Sequence, residues 1–237
     1  MVKYKRILLK ISGESLAGKS GNGIDTEMLN YFSTEIKSAV DCGVEIAVVI
    51  GGGNIFRGLQ GAKNGFDRVQ GDYMGMLATT INSMALQGML ESLGVKSVVL
   101  GGLAIDPVCE KMSSRRAMDY LKQGNVVIIA GGSGNPFFTT DSAGALRAIE
   151  IHADILLKGT RVDGVYDKNP ETCPDAVKFD EITFDEAYER NLHIMDLTAF
   201  TLCKENNMPI IVFNMNTQGN LFKVVNGEKV GTKILNE

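Results

Sequence analysis

The 237 residues carry 28 acidic and 24 basic side chains, a net charge of −4, and are 44% apolar and 22% charged. That balance excludes a disordered or fibrous chain and argues against nucleic acid as the main partner, since phosphate-backbone binding calls for a broad basic face. The apolar runs at 44–50 and 126–130 fall far short of the roughly 18 residues a membrane helix needs, so no membrane partner is expected.

In chain order, Met1-Val2-Lys3-Tyr4-Lys5-Arg6 followed by Ile7-Leu8-Leu9 imitates a signal peptide. The apolar run breaks at Lys10 and no small-residue cleavage site follows, so residues 6–12 read as a first strand. A helix is expected over 26–42, with apolar positions Met28, Leu29, Phe32, Ile36, Ala39 and Val40 and a terminating Gly43. A strand at 45–50 precedes a methionine-rich helix at 72–93 that Gly94 ends; Met74, Met76, Met84 and Met89 read as packing residues. Strands at 97–100, 126–130 and 155–158 follow, with helical spacing at Ala145, Leu146 and Ile149 between the last two. From 160 to 178 turn pairs dominate: Asp163-Gly164, Asn169-Pro170 and Cys173-Pro174. This is expected to be an exposed excursion. Helices at 183–190 and 197–206 and a strand at 210–213 resume the alternation, and Gly227 and Gly231 are expected to flank a last short strand. The pattern is that of a mainly parallel sheet covered by helices, in one domain over 1–237.

Cys42, Cys109, Cys173 and Cys203 are too scattered for a zinc or dithiol site and read as reduced thiols of a cytoplasmic protein. His152 and His193 stand apart from any nucleophile pattern.

Chemistry in such a sheet collects at the carboxyl ends of the strands. Three glycine clusters fall there: Lys10-Ile11-Ser12-Gly13-Glu14-Ser15, the run from Gly51-Gly52-Gly53 through Arg57 to Gly58, and Gly131-Gly132-Ser133-Gly134-Asn135-Pro136. Backbone without side chains lets N–H groups converge on phosphate oxygens. Gly13-Glu14-Ser15-Leu16-Ala17-Gly18-Lys19-Ser20 also satisfies the Walker A spelling. There the Lys-Ser pair should open a helix; here it runs into Gly21-Asn22-Gly23, and the first helix cap comes at Asp25 or Thr26. No P-loop is expected. Asp141 precedes a helical run and reads as its N-cap, although a cap is badly placed beside an anion unless it orients lysines or a metal. Lys10 and Lys158, at the ends of the first and fifth predicted strands, would point to the same sheet edge. Two lysines and one Asp among glycine loops point to phosphoryl transfer, where positioning and charge supply most of the catalysis.

Taken together, the segments 5–14, 51–58, 71–79, 134–141, 162–166, 195–200 and 214–216 resemble the bacterial uridylate kinases of the amino-acid-kinase superfamily. The most specific stretch is Asn135-Pro136-Phe137-Phe138-Thr139-Thr140-Asp141. The resemblance implies a three-layer αβα sandwich and transfer of the ATP γ-phosphoryl group to UMP. It implies catalytic roles for Lys10, Lys158, Asp141 and Arg57. ATP would be held by Lys10, Ser12, Gly13, Gly53 and Arg57 at the phosphates and by Thr160, Tyr166 and Asn169 at the adenine. UMP would be held by Gly52, Asp72, Ser133, Gly134, Asn135, Pro136, Phe137, Phe138, Thr139 and Thr140. Asp72 doubles as a candidate N-cap. Magnesium would travel with ATP and have no direct protein ligand. The resemblance further implies a homohexamer activated by GTP and inhibited by UTP, with Gly18, Lys19, Ser20, Gly21, Asn22 and Gly23 aligned on the stretch linked to GTP activation. Two positions depart from the family: Ser133 replaces Thr, keeping the hydroxyl, and Asn169 replaces a frequent Asp. Competing readings are a kinase of carbamate, acetylglutamate or aspartate, and a nucleotide sensor without turnover.

Overall fold

The computed structural model describes residues 2–57, 65 and 67–236; Met1 and Gly58, the last residue of the second glycine cluster, lie outside the described residues. Nine strands form one sheet in the order β4-β3-β5-β2-β1-β6-β8-β9-β7. They are β1 (Arg6–Ile11), β2 (Glu45–Ile50), β3 (Ser97–Gly101), β4 (Glu110–Lys111), β5 (Val126–Ala130), β6 (Ile155–Thr160), β7 (Glu181–Thr183), β8 (Ile210–Asn214) and β9 (Thr232–Leu235). Every pairing is parallel except β8 with β9.

The strand period of two sorts β1 between the layers. Ile7, Leu9 and Ile11 join the core formed with α1 (Thr26–Val40), α2 (Arg68–Ser92) and α7 (Asn220–Val225), through Phe32, Ile36, Leu86, Leu90 and Leu221. Leu8 joins the opposite core, with α3 (Ser114–Lys122), α4 (Thr140–Glu150), α5 (Phe184–Glu189) and α6 (Leu197–Glu205), through Leu121, Ala145, Ala148, Phe184 and Cys203. The result is the expected three-layer sandwich. The central strands are covered on both faces and are mostly apolar, a continuous run in Val126–Ala130 and interrupted near the carboxyl ends of β1 and β6 by Lys10 and Lys158.

Asp25 caps α1, its Oδ1 accepting from the amides of Glu27 at 2.8 Å and Met28 at 3.1 Å. Lys19 and Ser20 lie before it in a short 3₁₀ turn, Gly18–Ser20, that Gly21 ends in the left-handed region. The Walker spelling therefore does not open a helix.

Several expectations are corrected. The methionine-rich helix begins at Arg68, not 72, and its cap is Asp67, which accepts from Gln70 N at 3.1 Å. Asp72 is inside the helix and does not cap it. Asp141 is not a cap either: Thr139 Oγ1 accepts from the amides of Asp141 and Ser142 at 3.1 and 3.2 Å, placing Asp141 in the first turn of α4. The last strand follows Gly231 rather than lying between Gly227 and Gly231, because Gly231 packs its α-carbon where a Cβ would meet Val212 O at 2.2 Å. That contact lets β9 turn in beside β8. Helices α3 and α7 and the short strands β4 and β7 were not anticipated.

The stretch 160–178 is irregular, crossed by one bridge between Tyr166 and Lys178. Thr232 Oγ1, at the start of β9, accepts from Val165 N at 2.8 Å and donates to Phe179 O, tying the stretch to the sheet at Val165 and just past its end at Phe179. No helix among the described residues is long and apolar enough to cross a membrane.

Candidate active site

Lys10 and Lys158 are direct register partners on the parallel neighbours β1 and β6. Parallel partners share a face, and here it is the face that α4 covers. The first turn of α4 brings Asp141 onto both: Lys10 Nζ lies 2.7 Å from Oδ1 and Lys158 Nζ 2.6 Å from Oδ2. Among the described residues, Lys10 is the one partner of Oδ1. Lys158 also donates to Ile194 O at 2.6 Å. All three side chains are mostly buried, with 13–15% exposure.

Burial acts to raise the Asp141 carboxyl, but the two ammonium groups outweigh it and hold the group below its ordinary 3.8. Burial pushes Lys158 down; Asp141 pulls it up, Lys10 pushes it down, and the net position is below 10.5. The Asp141 direction follows from one count, a single carboxylate facing two cations, whereas Lys158 is lowered first by its burial. The cluster has a surplus positive charge in a place shielded from water, which suits a polyanion.

The glycine loops are held by close packing and by buried amides. A Cβ on Gly13 would meet Gly51 O at 2.3 Å, and one on Gly52 would meet Gly75 O at 2.7 Å. Asn82 Nδ2 donates to Gly51 O and to Asn54 Oδ1, both at 2.7 Å, and Asn54 Nδ2 reaches Gly23 O at 2.7 Å. Thr79 Oγ1 accepts from Gly131 N at 2.7 Å. The three loops thus meet at the carboxyl edge of the sheet.

Three adjoining cavities open there. The first, about 390 Å³, is lined by Lys10, Ser12, Gly13, Gly52, Gly53, Arg57, Asp72, Ser133, Asn135, Phe138, Thr139 and Thr140 among others. The second, about 560 Å³, shares Lys10 and Ser12 with the first and adds Lys158, Thr160, Arg161 and Gly18. The third, also about 560 Å³, shares Lys158, Thr160 and Arg161 with the second and continues to Tyr166, Asn169 and His193. Lys10 therefore stands between the first two cavities and Lys158 between the second and third. A mainly apolar cavity of about 580 Å³ shares Ser133, Asn135 and Phe138 with the first and extends to Leu146, Leu197 and Leu202; it contains neither lysine, and the charged trio locates the chemistry elsewhere.

Most of the expected site residues come together. Gly13, Gly53 and Arg57, assigned to ATP, line the first cavity beside the UMP set and not the second. Arg57 is ion-paired with Glu14. Gly134, Pro136 and Phe137 do not line the first cavity, although Phe137 N donates to Asp72 Oδ2 at 2.8 Å. Thr160 uses its hydroxyl on Val162 O at 2.6 Å, and Asn169 Oδ1 accepts from Glu171 N at 2.9 Å. Of the stretch aligned with GTP activation, Gly18 borders the second cavity, while Lys19, Ser20, Gly21 and Asn22 are exposed and Gly23 is half-buried against Asn54.

Sequence reasoning missed Arg68, whose Nε donates to Asp72 Oδ2 at 2.8 Å and whose guanidinium lies 5.6 Å from the Phe137 ring centre. The four-residue spacing from Arg68 to Asp72 was the available signal. It also missed Asp196, which caps α6 through Ala199 N at 3.0 Å, accepts from Ser142 Oγ at 2.9 Å and accepts from the Thr139 hydroxyl. The residue that caps the helix of Asp141 is therefore itself held by the cap of α6.

A parallel αβα sandwich without a P-loop, with two strand-end lysines closed on one helix-borne carboxylate beside glycine loops, defines a phosphotransferase of the non-P-loop class. The amino acid kinase family model matches residues 5–214, and the chain belongs to that family. It is 58% identical to the uridylate kinase of Parabacteroides distasonis and 56% identical to that of Bacteroides thetaiotaomicron, covering all of each chain. The UMP kinase structure from Bacillus anthracis superposes with a TM-score of 0.96 at 38% identity, covering 99% of this chain and 97% of that one. That from Ureaplasma parvum gives 0.92 at 36%, covering 98% and 99%.

Proposed function

We propose that the chain transfers the γ-phosphoryl group of ATP to UMP, giving ADP and UDP, with UMP in the first cavity and ATP along the second and third. The observation that carries this reading is Lys10 at the junction of the first two cavities, ion-paired to the carboxylate that also holds Lys158. The names of the relatives at 56–58% identity support the choice of acceptor.

A phosphate oxygen of UMP attacks the γ-phosphorus as the bond to the β–γ bridging oxygen breaks in line. The second pKa of a phosphate monoester is about 6, so the nucleophile is already ionised and no general base is required. Lys10 and Lys158 neutralise charge on the transferring group, and Asp141 sets their positions. Gly13, Gly53 and Arg57 line the acceptor side, where a γ-phosphoryl approaching UMP would contact them. Ser133, Asn135, Phe138, Thr139 and Thr140 enclose UMP together with Gly52. Asp72 Oδ2 is engaged by Arg68 and Phe137, which leaves its Oδ1 for a ribose hydroxyl. Thr160, Tyr166 and Asn169 frame the adenine.

Both oxygens of Asp141 face ammonium groups, so the donor set fits a magnesium ion held by ATP phosphates and water rather than by this carboxylate. Magnesium would supply charge neutralisation on the donor phosphates. We also read the protein as one cytoplasmic domain assembled into a homohexamer. On α2, Tyr73, Leu77, Ile81 and Met84 form a stripe, each 39–49% exposed, a face suited to burial against another copy. GTP activation and UTP inhibition complete the reading, with residues 18–23 as the GTP-linked stretch.

A coupled ADP-release assay across UMP, CMP, dUMP, carbamate, acetylglutamate and aspartate, with and without GTP, tests it. Turnover with UMP and none with the acids is expected. Turnover with an acid, or nucleotide binding without ADP release, would replace the reading with the other kinases or with a sensor. Light scattering tests the assembly, and a monomer would remove the hexamer.

A further inference from the structure

Arg147 takes no part in the mechanism above. Of the basic residues described it alone is buried, at 7% exposure. Its Nη1 donates to Glu150 Oε2 at 2.7 Å, while Nη2 donates to two consecutive carbonyls of the loop after β5, Gly132 O at 3.1 Å and Ser133 O at 3.2 Å. Nε has no partner. A pair three residues apart on a helix is as well made at the surface, and burying a guanidinium is costly, so the Glu150 contact alone does not account for the placement. The loop carbonyls do.

The loop needs an external hold. Gly131, Gly132 and Gly134 all have positive φ, at 66°, 55° and 82°, a conformation glycine enters and leaves freely. Thr79 fixes the loop at Gly131 N and Asp72 fixes it at Phe137 N; between them, Arg147 reaches the middle from the α4 side. In a trans peptide the C=O and N–H groups point in opposite directions. Holding the Gly132 carbonyl toward α4 therefore turns the Ser133 N–H away from it. The next amide, Gly134 N–H, is already bonded to Gly131 O at 2.9 Å.

We propose that Arg147 is a positioning residue for the acceptor: its guanidinium fixes the Gly132 and Ser133 carbonyls, and so aims the Ser133 amide and sets the wall that Ser133 and Asn135 present to the first cavity. This rests on reading that cavity as the UMP site.

Two measurements on the full chain separate the two ideas. Arg147→Lys and Arg147→Gln each keep a donor but lose the planar fork, whereas Glu150→Gln removes only the ion-pair partner. In the ligand-free protein, hydrogen exchange in peptides covering 131–139 should rise about tenfold in both Arg147 variants and stay unchanged in Glu150→Gln. In steady state, KM for UMP should rise about tenfold in the Arg147 variants, with KM for ATP within about twofold and a melting temperature close to that of the parent. Unchanged exchange at 131–139, an equal rise in both KM values, or the same effects in Glu150→Gln would overturn the proposal. Faster loop exchange in a protein whose parent does not phosphorylate UMP would instead reject the acceptor assignment and leave the positioning role standing.

Discussion

Lys10 and Lys158 face each other across two hydrogen-bonded parallel strands, and one carboxylate, Asp141, separates their ammonium groups at 2.7 and 2.6 Å. Like charges brought this close by register alone would repel. The carboxylate makes the arrangement tolerable without neutralising it, and the remaining charge is available to a transferring phosphoryl group.

Removing one ammonium should therefore act on the transition state. Lys10→Ala is expected to lower kcat by about 10²- to 10³-fold, the range for losing one preorganised charge contact, with KM for ATP and UMP changed only a few-fold. Steady-state kinetics with each substrate varied checks this; a raised KM with kcat intact would place Lys10 in ground-state binding.

The acid behaviour follows from Asp141. Its carboxyl titrates below 3.8 in the folded protein, so the unfolded chain takes up a proton first as pH falls. Stability from this group is present above 3.8 and is lost as pH drops through the lower folded value. Urea unfolding between pH 5 and pH 3 should show the parent losing stability toward acid. Asp141→Asn, already destabilised at neutral pH by two ammonium groups left without their carboxylate, should show a shallower dependence.

Thr139 caps the helix that carries Asp141 and donates to Asp196. Thr139→Val keeps the shape and removes the two cap bonds and the bond to Asp196, and is expected to cost about 1–2 kcal/mol of stability. Thr139→Ser should recover most of it. Equilibrium denaturation of the three proteins decides, and equal stability of Val and Ser variants would remove the cap from the account.

Gly13 is required for space and not for backbone freedom, since an added Cβ would lie 2.3 Å from Gly51 O and 2.6 Å from Asn54 Oδ1. Gly13→Ala should destabilise the protein by about 1–3 kcal/mol and weaken UMP and ATP together, because the first two glycine loops would have to separate. Thermal unfolding with paired KM measurements checks it.

The sequence revealed those parts of the site whose signal is local. Lys10, Lys158 and Asp141 sit beside glycine runs at strand ends, and the rule that ligands gather there was enough to group them. Arg68, Asp196 and Arg147 were not legible in the same way. Arg147 and Asp196 act on residues brought close only by folding: Arg147 lies 15 and 14 positions from the carbonyls it holds, and Asp196 lies 57 positions from Thr139; Arg68 pairs locally with Asp72, but its place beside Phe137 comes only from the fold. In the fold, the central strands were readable because burial on both faces makes them mostly apolar. Helix α3 was not, since only Ala117 and Leu121 are buried among its charged residues. The start of α2 was misplaced because Asp67 and Asp72 both precede helix-forming residues, and only the hydrogen bond to Gln70 N tells which of them caps.

Thr232 fastens the far end of the nucleotide cleft from the opposite end of the chain, through Val165 and Phe179. On the proposed placement of ATP, trimming or stiffening β9 would loosen or restrain the wall near Val165 and Tyr166 while the ammonium pair stays seated on β1 and β6. That makes the tail a handle for adjusting donor affinity separately from the rate of the chemical step.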